Sequence, residues 1–218
     1  MTTTSGICRF FFIEFKTTVL KNKTIVLEKR LFMRERTEKS IDEILEISFR
    51  YLMVHGLENT SIRDLAKETG MSLGSIYYWF EDKEDFIINS VKFGLMKSSA
   101  KIFTEASEQI NNFENFITRV MEVVKSERRS LRLVYQAATS PTFGDRIRKN
   151  AEPLNNTYAE YIHLVSKSIG APFEEIRPLV FMFIATILDY VVWDDYAFSK
   201  SQLEYIYKIL LSKIDSKK

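Results

Sequence analysis

From Met33 onward apolar residues recur at intervals of three and four, and glycine and proline are scarce, the pattern of amphipathic helices. Ile41, Ile44, Leu45, Ser48, Phe49, Leu52 and Met53 mark one face of a helix predicted over about Glu38 to His55, with Gly56 placed as its C-cap. A short second helix follows. Ser61 as N-cap and Asp64 three residues on form an acidic variant of the capping box, Ile62, Leu65 and Ala66 supply the buried face, and Gly70 ends it. Ser72 then caps a third helix that carries Ile76 and Phe80 inward, four residues apart. Two short helices joined by a glycine turn predict a helix-turn-helix. Asp82 with Asp85 predicts the start of a fourth helix, and Lys83 falls in its first turn.

The period continues from about Asn112 to the end of the chain. The stretch EEIRPLVFMFIATILDYVVW is apolar on nearly every side: Leu179, Val180, Phe183, Ile184, Ile187, Leu188 and Val191 lie at core spacing, leaving Phe181, Met182 and Val192 over. SQLEYIYKILLSKI adds Leu203, Ile206, Tyr207, Leu210, Leu211 and Ile214 on one stripe. The expected fold is therefore all-α, a three-helix helix-turn-helix domain followed by a helical domain. The expected domains are 33–95, with the motif at 61–80, and 96–218, after an N-terminal extension over 1–32. No flexible linker separates them, so the division is expected inside a helix, between Lys83 and about Ser107. Pro178 and Asp189 flank the apolar run of the penultimate helix and argue against a membrane span.

Composition narrows the classes. An apolar content of 45% supports a core without staples, and the one cysteine, Cys8, permits no intrachain disulfide and no thiolate zinc site. A reducing cytoplasm fits. Residues 1–32 lack the helical period, and Met33 is the expected start, with the head an upstream read-through; the alternative is a basic extension that touches an anionic surface through Arg9, Lys16, Lys21, Lys23, Lys29 and Arg30. The apolar run from Phe10 to Phe15 is too short for a span or a secretion signal. A net charge of +2 identifies no nucleic-acid binder by itself. From Arg34 to Lys83 seven basic residues face ten acidic ones, so attraction to phosphate would rest on a rim of Arg34, Arg36, Arg63 and Lys83.

The third helix poses the sharpest question. MSLGSIYYWF sets Tyr77, Tyr78 and Trp79 side by side, and a helix that buries Ile76 and Phe80 cannot bury all three. Leu73, Gly74, Ser75, Tyr77, Tyr78 and Trp79 are expected on the outer face. Lys83 opposes the helix macrodipole, so intrinsic helix stability does not select it; free N–H groups at a helix start plus one lysine suit a phosphate.

Residues from about Glu38 to Leu95, and above all TSIRDLAKETGMSLGSIYYWFEDKEDF, resemble the DNA-binding domain of the TetR family of transcriptional regulators. Thr60, Ser61, Leu65, Ala66, Gly70, Gly74, Tyr77, Tyr78, Phe80 and Lys83 stand in the family's order and spacing. The resemblance implies that the third helix enters the major groove, that Ser61 or Thr60, Tyr77 and Lys83 hold phosphates, that Gly74 admits the backbone, and that Tyr78 and Trp79 reach bases or sugar. Arg63, Ser72, Leu73 and Ser75 complete the expected interface with a palindromic double-stranded operator. Leu73 departs from the polar residue common there, and Trp79 from a common histidine.

For the remaining two thirds the resemblance implies a homodimer, built from the last two helices through Phe181, Met182, Ile184, Leu188, Val192, Ile206, Leu210 and Ile214. An effector pocket is expected around Arg132, Tyr135, Gln136, Thr139 and Phe143, where aromatic and polar residues meet a break at Pro141 and Gly144. His55 and His163 stand apart from acidic partners, so no metal and no cofactor is expected. The absence of a catalytic constellation or glycine-rich phosphate loop argues against an enzyme. The leading expectation is a dimeric repressor released by a small molecule. The alternative keeps the DNA-binding domain and makes the C-terminal domain a protein-interaction platform.

Overall fold

The computed structural model describes residues 39–107, 113–149, 158–159, 162–163, 165–167 and 170–215. The extension 1–32, with Met33, Arg34 and Arg36, lies outside them. Among the described residues the regular structure is helical, with no strand. The helices are α1 (Ile41–His55), α2 (Ile62–Thr69), α3 (Leu73–Trp79), α4 (Lys83–Ser107), α5 (Phe113–Thr139), α6 (Gly144–Lys149), α7 (Phe173–Trp193) and α8 (Tyr196–Asp215).

Local chemistry sets the boundaries. Helix α1 begins three residues later than the period suggests, because Ser40 forms a full capping box with Glu43. Gly56 closes it with its N–H on the Leu52 carbonyl and φ at 82°. Ser61 and Asp64 cap α2 reciprocally, and Gly70 ends it in the left-handed region at φ 74°. Lys39 Nζ donates to the Thr69 carbonyl at 2.9 Å, placing a cation at the C-terminus of α2, where the macrodipole favours one.

The described residues fall into two compact units. One contains 39–99 and 129–149, so the helix-turn-helix does not stand on helices α1 to α4 alone. Its core joins Ile44, Phe49, Leu52, Leu65, Ile76, Phe80, Phe86, Ile87 and Val91 to Leu133, Ala137 and Phe143. Phe80 and Phe86 stack at 4.2 Å between centroids. Three helices too short to bury much by themselves are stabilised by this shared core. The expected boundary near residue 95 therefore omits the end of α5 and all of α6, whose contribution to this core is non-local. Within the unit Gly94 lies against the ring of Phe49: a Cβ built on Gly94 would come within 2.2 Å of that ring.

The other unit contains 100–107, 113–128 and the described residues from 158 to 215. Helices α7 and α8 pack on each other. Ile162, Ala171 and Ile176 form a small core with Val165, Phe173, Val180 and Leu210 against it. Arg128 ties the end of α7 to α5: its Nε donates to the Val191 carbonyl at 3.1 Å, it pairs with Asp194, and its guanidinium carbon lies 5.7 Å from the Tyr190 ring centroid. By length and composition α7 could cross a membrane, with a mean hydropathy of 1.7 over its most apolar stretch, of which 22% is buried. Its interior Pro178 and the buried Tyr190 are also compatible with a core helix.

Candidate nucleic-acid interface

The outer face of α3 follows directly from its cap and its single anchor. Ser72 accepts the Ser75 N–H at 3.0 Å, which starts the helix, and Ile76 is its one fully buried side chain. Phe80, just past the end, is 5% exposed and fixes the other side. Tyr77 is left 55% exposed, Tyr78 65% and Leu73 39%. Gly74 is exposed as well, and a Cβ there would meet only the Ser72 hydroxyl, at an ordinary 3.8 Å. Nothing inside the free protein calls for glycine at this point.

Not every expected residue joins this face. Trp79 is partly buried and packs on the core, meeting Tyr78 edge-on at 5.4 Å. It supports Tyr78 and does not share its outward role. Thr60 is 1% exposed, and its hydroxyl donates to the Gly56 carbonyl at 2.7 Å, so it has no free donor for a phosphate. Ser61 is exposed, with its hydroxyl donated to Asp64 Oδ2 at 2.6 Å. Hydrogen bonding to Ser61 holds the Asp64 carboxyl below its ordinary range. Arg63 is exposed two positions after Ser61, and the Ser75 hydroxyl shares a hydrogen bond with Ser72 at 2.9 Å.

Lys83 opens α4 beside a carboxylate cluster. Asp82 accepts the Asp85 N–H at 2.7 Å, and the Asp85 carboxylate accepts from Glu81 N at 3.2 Å, one residue short of a closed capping box. Into this cluster reaches Arg146 of α6, 64 residues away in sequence. Its Nη1 donates to both Asp82 oxygens at 2.7 Å and its Nη2 to Glu81 at 2.8 Å, with Asp85 at 4.0 Å. The guanidinium holds the Asp82 carboxyl below its ordinary range, and Asp82 in turn raises Arg146. No spacing rule in the sequence points to this clamp.

The expected effector site does not assemble. Phe143 is fully buried in the core of the helix-turn-helix unit, because the break at Pro141 turns the chain back onto that core. Arg132, Tyr135, Gln136 and Thr139 lie exposed on α5, the Thr139 hydroxyl donating to the Tyr135 carbonyl at 2.9 Å. An open cavity of about 310 Å³ lies instead against Glu174, Arg177, Pro178 and Phe181. Of the residues expected between subunits, Phe181 and Met182 are 44% and 48% exposed, while Ile184, Leu188, Val192 and Leu210 are half-buried. Ile206 is 2% exposed and already belongs to the interior of its own chain; the side chain of Ile214 lies outside the described residues. Among the described residues no group of His, Cys, Asp and Glu could hold a metal.

Residues 44–88, from the first turns of α1 into α4, match the family of bacterial regulatory proteins designated tetR. The helix-turn-helix domain belongs to the TetR family. The chain is 26% identical over 95 residues to the HTH-type transcriptional regulator PksA of Bacillus subtilis (strain 168). That match covers 44% of this chain and 46% of PksA, so the chain spans about half the length of this relative. In fold it is similar to a transcriptional regulator from Rhodococcus sp. Rha1, with a TM-score of 0.52 at 20% identity over 80% of this chain and 97% of that one. The TetR-type segment of this chain therefore comprises most of α1, the capped α2–α3 pair with its aromatic outer face, and the start of α4.

Proposed function

We propose that the protein is a sequence-specific transcriptional regulator that binds palindromic double-stranded DNA as a homodimer in the cytoplasm, without enzymatic activity, and represses until a small molecule releases it. The observation that carries the reading is the outer face of α3. Tyr77 and Tyr78 stand exposed on a seven-residue helix held by one buried anchor, beside a glycine that the protein's own packing does not require. Glycine inside a helix costs roughly 0.5–1 kcal/mol relative to alanine, and close approach of a nucleic-acid backbone gives it a use. Phosphate contacts from Tyr77, Arg63 and Lys83 would set register, the donors of Ser61 being taken by Asp64, while Tyr78 and Leu73 would meet base edges, Leu73 against a thymine methyl.

One such module is small, and pairing of half-sites is the usual geometric answer. The exposed Phe181 and Met182 on α7 support a subunit interface through α7 and α8. Half-site spacing is fixed by the double helix, so an effector that changes the separation of two α3 helices would lower operator affinity without touching a base. Trp193, Phe198 and Tyr205 are 75%, 53% and 63% exposed, and they favour a second reading in which the C-terminal unit binds another protein.

Selection of DNA from a random pool by the purified protein tests the reading. An enriched palindrome supports it; no enrichment by folded, dimeric protein removes it. A thermal-shift screen against metabolites and drugs then separates the two roles of the C-terminal unit, since an effector must raise the melting temperature.

A further inference from the structure

The sequence leaves an electrostatic difficulty at the start of α4. Residues 81–85 read EDKED, four carboxylates around one lysine. The first turn of a helix attracts anions through its unsatisfied N–H groups. Here two of the donors nearby are already taken by carboxylates, the Asp85 N–H by Asp82 and the Glu81 N–H by Asp85. A phosphate approaching Lys83 would therefore meet a site that its own neighbours have made anionic, and at a separation of a few ångström like charges oppose each other strongly.

The remedy comes from outside the helix-turn-helix segment. Arg146 grips Asp82 with two bonds of 2.7 Å and Glu81 with one of 2.8 Å. Its side chain is 28% exposed, against 84% for Glu81 and 45% for Asp82. The guanidinium is thus set deeper than the carboxylates it binds, where it is less accessible to a phosphate than they are. Nη1 serves both Asp82 oxygens and Nη2 serves Glu81, so one guanidinium bridges two carboxylates through charge-assisted hydrogen bonds. The neighbouring Arg148 pairs with Asp145 on the same short helix and is not part of the clamp.

We propose that Arg146 is a positioning residue for DNA: by neutralising Glu81 and Asp82 and fixing the Asp82 cap, it keeps the first turn of α4 open to a backbone phosphate at Lys83. This rests on the DNA-binding reading above. It assigns a role in that reading to α6, a helix beyond the stretch matched to the TetR family.

The test is fluorescence anisotropy on the selected operator duplex at fixed salt, with far-UV circular dichroism to check the fold. Arg146→Gln is expected to weaken binding about tenfold, the scale on which a single phosphate interaction matters at moderate ionic strength. Adding Glu81→Gln and Asp82→Asn should restore affinity to near the wild-type value, since Asn still caps a helix and no carboxylate then needs neutralising. In a Lys83→Ala background Arg146→Gln should add little, because the site it serves is gone. Wild-type affinity in Arg146→Gln overturns the inference, and so does a weakening that the two added substitutions leave in place, which would mean that Arg146 itself holds the phosphate. If Arg146→Gln does not fold, Arg146→Met carries the same test, since it keeps the length of the side chain and removes the charge. Wild-type protein that selects no DNA removes the proposed function together with this inference; operator binding lost in Tyr77→Ala and kept in Arg146→Gln removes this inference alone.

Discussion

Helices α3 and α7 both leave large side chains in solvent, and they do so in opposite ways. Helix α3 is seven residues long, starts on a serine cap and buries Ile76 alone. Helix α7 is 21 residues long, has no side-chain cap, and buries Ile176, Leu179, Tyr190 and Val191. The side chains that α3 exposes most are a pair of tyrosines, beside a less exposed Leu73, and each tyrosine has a hydroxyl that can meet a phosphate, a sugar or water. The mid-helix pair exposed by α7, Phe181 and Met182, has no polar handle. An exposed apolar group is best covered by another apolar surface, whereas an exposed tyrosine suits a wet, charged one. The contrast is the one that the proposed roles of the two helices require, α3 toward nucleic acid and α7 toward protein.

The anchor of α3 is where this contrast breaks most severely. Ile76→Ala removes a fully buried side chain and is expected to cost about 2–5 kcal/mol in urea unfolding; a cost below about 1 kcal/mol would mean that α3 is not held as described. On α7 the expected loss is in assembly. Met182→Lys should leave unfolding of the isolated chain within about 0.5 kcal/mol and weaken self-association by about 1 kcal/mol or more, read by sedimentation equilibrium, whereas Phe181 also packs edge-on against Tyr158 of its own chain. Unchanged association would move the subunit interface elsewhere. Ser72→Ala should cost about 1 kcal/mol by loss of the cap, with Ser75 N–H left to water.

Two smaller effects sharpen the picture. Gly74→Ala is expected to stabilise the free protein by about 0.5–1 kcal/mol, because the added Cβ has room, and at the same time to weaken operator binding; stability and affinity moving together would contradict a backbone approach at this position. The smallest effect is in acid. Asp82 has its pKa lowered in the folded state, chiefly by Arg146. Its contribution to stability is present above the unfolded carboxylate value and is lost as pH falls through the folded one. Arg146→Gln should therefore make the unfolding free energy less dependent on pH below about 4, and a Tm series across that range checks it. The pair is partly exposed, so the change is expected to be slight.

Much of the fold was legible because helix ends are written locally. The Ser61–Asp64 box, the Ser72 cap and the glycines at 56 and 70 each act within a few residues, and the structure has them as the sequence implies. The Ser40–Glu43 box was equally local and marks the true start of α1, three residues after the expected one. What lay beyond reach was long-range. Phe143 beside a helix break has the composition of a pocket wall, and only the return of α5 and α6 to the first core makes it interior. Adjacent Thr60 and Ser61 differ in fate because one hydroxyl turns inward to Gly56. Trp79 is drawn to the core by packing that a face count on a seven-residue helix does not resolve. The Arg146 clamp joins two charge groups that no periodicity relates.

The notch at Gly94 has a consequence for how this sequence can change. Because the Phe49 ring occupies the space where any side chain at 94 would begin, the two positions are not independent. A lone Gly94→Ala has to push a core ring aside, and a lone Phe49→Ala empties the same volume. A sequence drifting under selection for this helix crossing would reach a larger residue at 94 only through a smaller one at 49, so the pair should exchange volume together and be separable by a double-mutant cycle.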